Sequence, residues 1–233
     1  MPRDIFHQEL DRLVEEVVEL GREVESCLDN MVEALETHDA KVASNQLGVD
    51  ARYKEQETQI VEECMIMQAR QAPVARDLRL IHVVQAVTNH LVRTGTLCEH
   101  ICRGIAEAAN AERDPNLEAT LREMAHSARD LFQQGLHIFE SRDIEHSEGL
   151  EAADDRVDLL YTQGMNLAVN LADKERVGSP QWRVQAALTV HYLERIADHG
   201  VDIGERTVFL VTGERMESAL RDYHERRLDD FED

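Results

Sequence analysis

Leu13, Val17, Leu20, Val24, Cys27, Met31 and Leu35 recur at alternating steps of four and three, with Glu, Arg and Asp filling the intervals. A period near 3.5 residues puts these side chains on one face of an α-helix, and predicts a long amphipathic helix packed almost parallel to its neighbours. His38-Asp39 supplies a break and an N-cap, after which the pattern predicts a second helix to about Arg70. Gln71-Ala72-Pro73 ends that helix, because proline lacks the backbone donor and disfavours helical geometry just before it. A third helix is predicted from about Val74 to Asn110. Asp114-Pro115 is the strongest punctuation in the chain. A fourth helix then runs to about Glu140, a fifth to about Lys174 and a sixth from about Gln181 to Val211, where Gly213 stops it.

The breaks divide the chain into three long helices, a proline junction and three more. Asp50 and Asp155 open comparable stretches of the second and fifth helices, offset by 105 residues. Leu91-Val92-Arg93-Thr94-Gly95-Thr96 and Leu193-Glu194-Arg195-Ile196-Ala197-Asp198 sit at comparable places in the third and sixth, offset by 102. Near-equal offsets point to a duplicated unit. The expected fold is all-α, two tandem three-helix bundles covering residues 1–112 and 113–213, followed by an acidic C-terminal tail at 214–233.

Composition agrees and then narrows the chemistry. Aromatics are 4% of the 233 residues, with 11 Gly and 4 Pro, which leaves little material for strands and turns. The formal net charge is −22, a surface that repels phosphate backbones and anionic lipid, so no nucleic acid is expected as a partner and no direct membrane insertion. The opening Met-Pro-Arg-Asp has no apolar leader, and no run approaches the ~18 apolar residues of a membrane span. Cys27, Cys64, Cys98 and Cys102 form no C-x-x-C pair and sit within apolar helical patterns. The expected location is the reducing cytoplasm.

One pattern carries candidate chemistry. Glu194, Asp198 and Asp202 fall at i, i+4 and i+8, on one helix face. Stacked carboxylates repel by roughly 0.2–0.5 kcal/mol per adjacent pair unless a cation neutralises them. In a chain this acidic such a triple arises by chance about twice, so spacing alone does not distinguish a metal site from a solvated face laced with Arg195 and Arg156. The surroundings favour closer attention: Leu193, Ile196, Val201 and Ile203 flank the stripe, and the preceding helix carries Asp154, Asp155 and Asp158. Cys98 and Cys102, near His90 and His100, could hold a soft metal, but helical cysteines in apolar surroundings are more often core residues. No nucleophile elbow, phosphate loop or zinc-protease signature is present, so no catalytic residue is assigned. Long helices with apolar residues on more than one face favour a homodimer.

Pro73-Val74-Ala75-Arg76-Asp77-Leu78-Arg79 and Leu193-Glu194-Arg195-Ile196-Ala197-Asp198-His199-Gly200-Val201-Asp202-Ile203, with the Phe6, Leu10 and Leu13 opening and the acidic start of the second helix, resemble the PhoU family from about Ile5 to Gly213. The resemblance implies two three-helix bundles, each with an E-x-x-x-D motif on its third helix, and metal held as iron or zinc clusters or magnesium-like ions. Glu194 and Asp198 occupy the second motif, Asp202 stands where the family often has Asn, and Asp155 and Asp158 match the acidic pair of the preceding helix. The first repeat departs from the motif, with Val92 and Thr96 in place of Glu and Asp and His100 at the following position. One metal site, in the second bundle, is therefore expected. The resemblance further implies a non-enzymatic regulator of phosphate uptake and of the phosphate-starvation response. Its partners would be the ATPase subunit of the phosphate ABC transporter and a sensor histidine kinase. Three other readings stay open: a carboxylate-bridged di-iron enzyme, a helical scaffold that binds nothing, and a regulator of another transporter. The first lacks the usual Glu-x-x-His pairs, since His199 is off the i+3 position from Glu194.

Overall fold

The computed structural model describes residues 3–169, 178–216 and 218–219. Among them the chain is helical throughout, with α1 (Arg3–Thr37), α2 (Ala40–Asn45), α3 (Val49–Gln71), α4 (Ala75–Glu107), α5 (Pro115–Ser141), a 3₁₀ turn (Ile144–Gly149), α6 (Leu150–Val169) and α7 (Pro180–Thr212). The caps explain most of these bounds. Asp39, Asp114 and Ser179 are extended N-caps whose side chains accept from backbone N–H groups of the first turn, and proline follows the last two at the first helical position. Gly213 ends α7 in the left-handed region, at φ +80°.

Two breaks depart from the sequence reading. The second helix is two pieces, interrupted at Gln46-Leu47-Gly48 with Gly48 at φ +91°. The buried Glu99 carboxylate of α4 accepts from the N–H groups of Gly48 and Asp50, at 2.9 and 3.2 Å, and so satisfies the donors exposed at the start of α3. Likewise the fifth helix begins with the 3₁₀ turn, capped by Asp143, before α6 proper. The expected end of the fifth helix near Lys174 lies outside the described residues, as does most of the expected tail at 214–233.

Helices α1, α4, α5 and α7 make the centre of the molecule, α4 lying against α7 and α1 against α5. The α2–α3 arm flanks α4 and α1, and α6 flanks α5 and α7. The two bundles therefore share one continuous core, running from Phe6 and Leu10 through Leu91, Phe132 and Phe139 to Ile203 and Leu210. Val17, Val24, Cys27 and Met31 of the opening seam lie inside it. The tightest crossing joins α5 to α7. A Cβ on Gly135 would lie 2.0 Å from the Gly200 carbonyl oxygen, and one on Gly200 would lie 2.7 Å from the Leu131 carbonyl oxygen. These helices touch backbone to backbone, which only glycine permits. No described helix is long and apolar enough to cross a membrane.

Candidate metal seams

Helix α7 presents its polar residues to two neighbours. Its buried side is fixed by Leu193, Ile196, Ala197, Gly200 and Ile203, all in the core, so Glu194, Asp198 and Asp202 fall on the flanking strip. Opposite lies α6, turned by the burial of Val157 and Leu160.

The groove between α6 and α7 gathers charge. Burial raises the Asp198 carboxyl to about 6, with repulsion from Glu194, Asp202 and Asp158 adding to it against the opposing Arg195. Asp154 also rises to about 6, from burial and then from Asp158, Asp198, Asp155 and Glu205. Glu194 is pushed above the usual carboxylate range by burial, with Asp158 and Asp154 contributing while His191 and Arg195 oppose. Glu194 and Asp198 thus feel Asp154 and Asp158 across the groove, but among the described residues no three of these carboxylates bring ligand atoms within 4.8 Å of one another. Asp155 is exposed and acts on Asp154 of its own helix. Sequence spacing had grouped Asp155 with Asp158 because they are three apart, but Asp154 and Asp158, four apart, are the pair coupled to α7. Arg156 does not lace this groove: it pairs with Glu123 of α5 at 3.0 Å. The donors are all carboxylate oxygens, a set that suits a hard cation.

Asp202 faces the other way as well. Its carboxylate oxygen lies 3.6 Å from Nδ1 of His90 on α4, and that nitrogen lies 3.2 Å from Nδ1 of His199. One ligand atom from each of these residues falls within 4.8 Å of the others. Burial pushes the His199 imidazole down to about 3, helped by His90, Arg195 and Arg93. Burial lowers His90 too, Asp202 opposing and Arg206 and Arg93 assisting. Burial thus favours the neutral form of both rings. Sequence reading missed this cluster, because 109 residues separate the two histidines and no motif joins them.

The corresponding place in the first repeat is closed. Val92 is buried in the core, and the Thr96 hydroxyl donates to Asp50. Lys54 donates to the other Asp50 oxygen at 2.6 Å. Burial alone would raise Asp50, yet the hydrogen bonds from Lys54 and Thr96 outweigh it and hold the carboxyl below its usual range. All four cysteines are buried and free. Burial raises Cys64 and Cys102 to about 12, which keeps both as thiols of the core.

The PhoU domain model matches residues 17–105 and again residues 121–207. The phosphate-specific transport system accessory protein PhoU homolog of Clostridium acetobutylicum is 26% identical over 218 residues, covering 93% of this chain and 99% of that protein. A homolog of the same description, numbered 1, from Methanothermobacter thermautotrophicus is 27% identical over 224 residues, covering 92% and 97%. The crystal structure of PhoU from Pseudomonas aeruginosa superposes with a TM-score of 0.83 at 25% identity, over 90% of this chain and 100% of that one. Matched along both of its repeats, the chain belongs to the PhoU family.

Proposed function

We propose that this chain is a cytoplasmic regulator of phosphate uptake. In this reading it is an adaptor between the ATPase subunit of the phosphate ABC transporter and a sensor histidine kinase, and it silences the phosphate-starvation response when phosphate is plentiful. The observation that carries the reading is the end-to-end similarity to accessory proteins of the phosphate-specific transport system, which spans nearly the whole of each relative. Those relatives are named as accessory proteins rather than enzymes. Long helix faces supply docking area, and regulation follows from which partner is bound. Exposed apolar side chains on α6 and α7, Leu159, Val184 and Leu188, support a homodimer.

The same reading includes one cation, iron, zinc or magnesium, in the second bundle. Its ligands would come from Glu194, Asp198, Asp154 and Asp158, with Asp155 at the margin, while Asp202, the remaining expected ligand, turns toward His90 of α4. Support comes from carboxylates held close enough to raise one another, with Arg195 opposing at Glu194 and Asp198. When bound, the ion would neutralise the groove and tie α6 to α7.

Affinity capture from cells of the native host tests the adaptor role. Enrichment of the phosphate transporter ATPase or of a sensor kinase is expected. Recovery of a different transporter's ATPase in their place would reassign the regulated system, and recovery of neither would remove the adaptor reading.

A further inference from the structure

We infer that His90, His199 and Asp202 form a second metal site, distinct from the carboxylate groove, which takes a borderline transition metal of the zinc class and joins the two bundles through α4 and α7. The geometry is the first argument. Two imidazole nitrogens bound to one tetrahedral zinc at about 2.0–2.1 Å stand about 3.3–3.4 Å apart. The two Nδ1 atoms here are 3.2 Å apart before any ion is placed, and the Asp202 oxygen is 3.6 Å from one of them. His199 and Asp202 are i and i+3 on α7, so one helix face delivers both, and α4 delivers the third. Three protein ligands leave a fourth position for water or an anion.

Burial supplies the second argument. His199 is 5% exposed, its Nε2 is buried without a partner, and the hydrogen bond it does make is to another histidine. Two facing Nδ1 atoms can share only one proton. A core position occupied for packing alone would be better filled by an aliphatic side chain, and the equivalent position of the first repeat is Leu97. An ion between the two Nδ1 atoms takes the place of that proton, and each ring then carries its own proton on Nε2.

Ligand chemistry decides which ion, and Arg93, Arg195 and Arg206 surround the two rings. The same cations disfavour magnesium or calcium, whose binding is electrostatic and needs oxygen, whereas two nitrogens and a carboxylate suit zinc or cobalt.

Calorimetric titration of the chelator-stripped full-length protein with Zn²⁺, together with the visible spectrum of its Co²⁺ form, tests the site. One Zn²⁺ equivalent is expected whose affinity is kept within threefold by the Glu194→Gln/Asp198→Asn double variant and weakened at least tenfold by His90→Gln, apart from any Zn²⁺ in the carboxylate groove, which the double variant removes. The His90→Gln variant should also lose the visible bands of tetrahedral Co²⁺. Asp202→Asn, at a half-exposed position, should weaken Zn²⁺ similarly, and it reads the site even if His90→Gln does not fold. Wild-type protein that takes no Zn²⁺, or a folded His90→Gln variant with unchanged affinity, would overturn the inference. So would loss of Zn²⁺ in the Glu194→Gln/Asp198→Asn variant with retention in His90→Gln.

Discussion

The two repeats put opposite electrostatics at one structural address. Between α3 and α4, Asp50 is gripped by Lys54 and Thr96, Val92 fills the place of a carboxylate, and the seam is neutral within itself. Between α6 and α7, Glu194 and Asp198 face Asp154 and Asp158, with their carboxyls raised by burial and by one another. A fold that can neutralise such a seam with one lysine and one threonine, and does so in its first copy, leaves the second charged at a cost in stability. That difference is the physical argument for a cation in the second repeat and against one in the first.

The harshest way to break the comparison is to write the second motif into the first seam. Val92→Glu with Thr96→Asp buries carboxylates without a ligand, and should cost about 3–5 kcal/mol in urea denaturation. A folded double variant of near-native stability would show that the first seam is not closed. Next comes Glu99→Ala, which strips the N–H groups of Gly48 and Asp50 and leaves Arg103 unpaired. A loss of about 2–4 kcal/mol is expected, with hydrogen exchange rising first at residues 46–50.

Cation binding is the third test. Mg²⁺ or Mn²⁺ at one hundred times its dissociation constant should stabilise the protein by about 2.7 kcal/mol, raising Tm by about 5–10 °C. Glu194→Gln/Asp198→Asn should abolish the gain, and Lys54→Ala in the other repeat should leave it intact. The reverse pattern would move the ion to the first bundle.

The smallest effect sharpens the sign of the electrostatics. Asp198 titrates near 6 in the fold against 3.8 ordinarily, so between those values the native state holds more protons than the unfolded chain. Metal-free stability from this group is therefore full below about pH 4 and lost as pH rises through about 6. Asp198→Asn should raise Tm of the stripped protein by about 2–4 °C at pH 7, equivalent to ~1 kcal/mol or less once solvent screening at this exposed side chain is allowed for. The advantage should vanish toward pH 4. A thermal melt series across that range reads both.

Local chemistry made much of the fold legible. Asp39, Asp114, Ser179 and Gly213 announce helix ends through caps that need no tertiary partner, and the α1 seam declares its buried face by period alone. The break at Gly48 was not legible, because the group that stabilises it, Glu99, lies some fifty residues away on α4. For the same reason the acidic stripe on α7 was visible while its facing pair was not: whether Asp154 or Asp155 meets α7 depends on how α6 rolls against it. The histidine pair depends on contact between bundles, which no within-helix period encodes.

The crossing of Gly135 and Gly200 assigns the moving part. With main chain against main chain, α7 is a fixed jaw that can neither slide nor turn on α5 without collision. Helix α6 rests on α7 through softer contacts, such as Gly164 beneath the Val190 methyls. With α7 held on α5, an ion drawing the acids together would bring in α6, and the exposed Leu159 would travel with it.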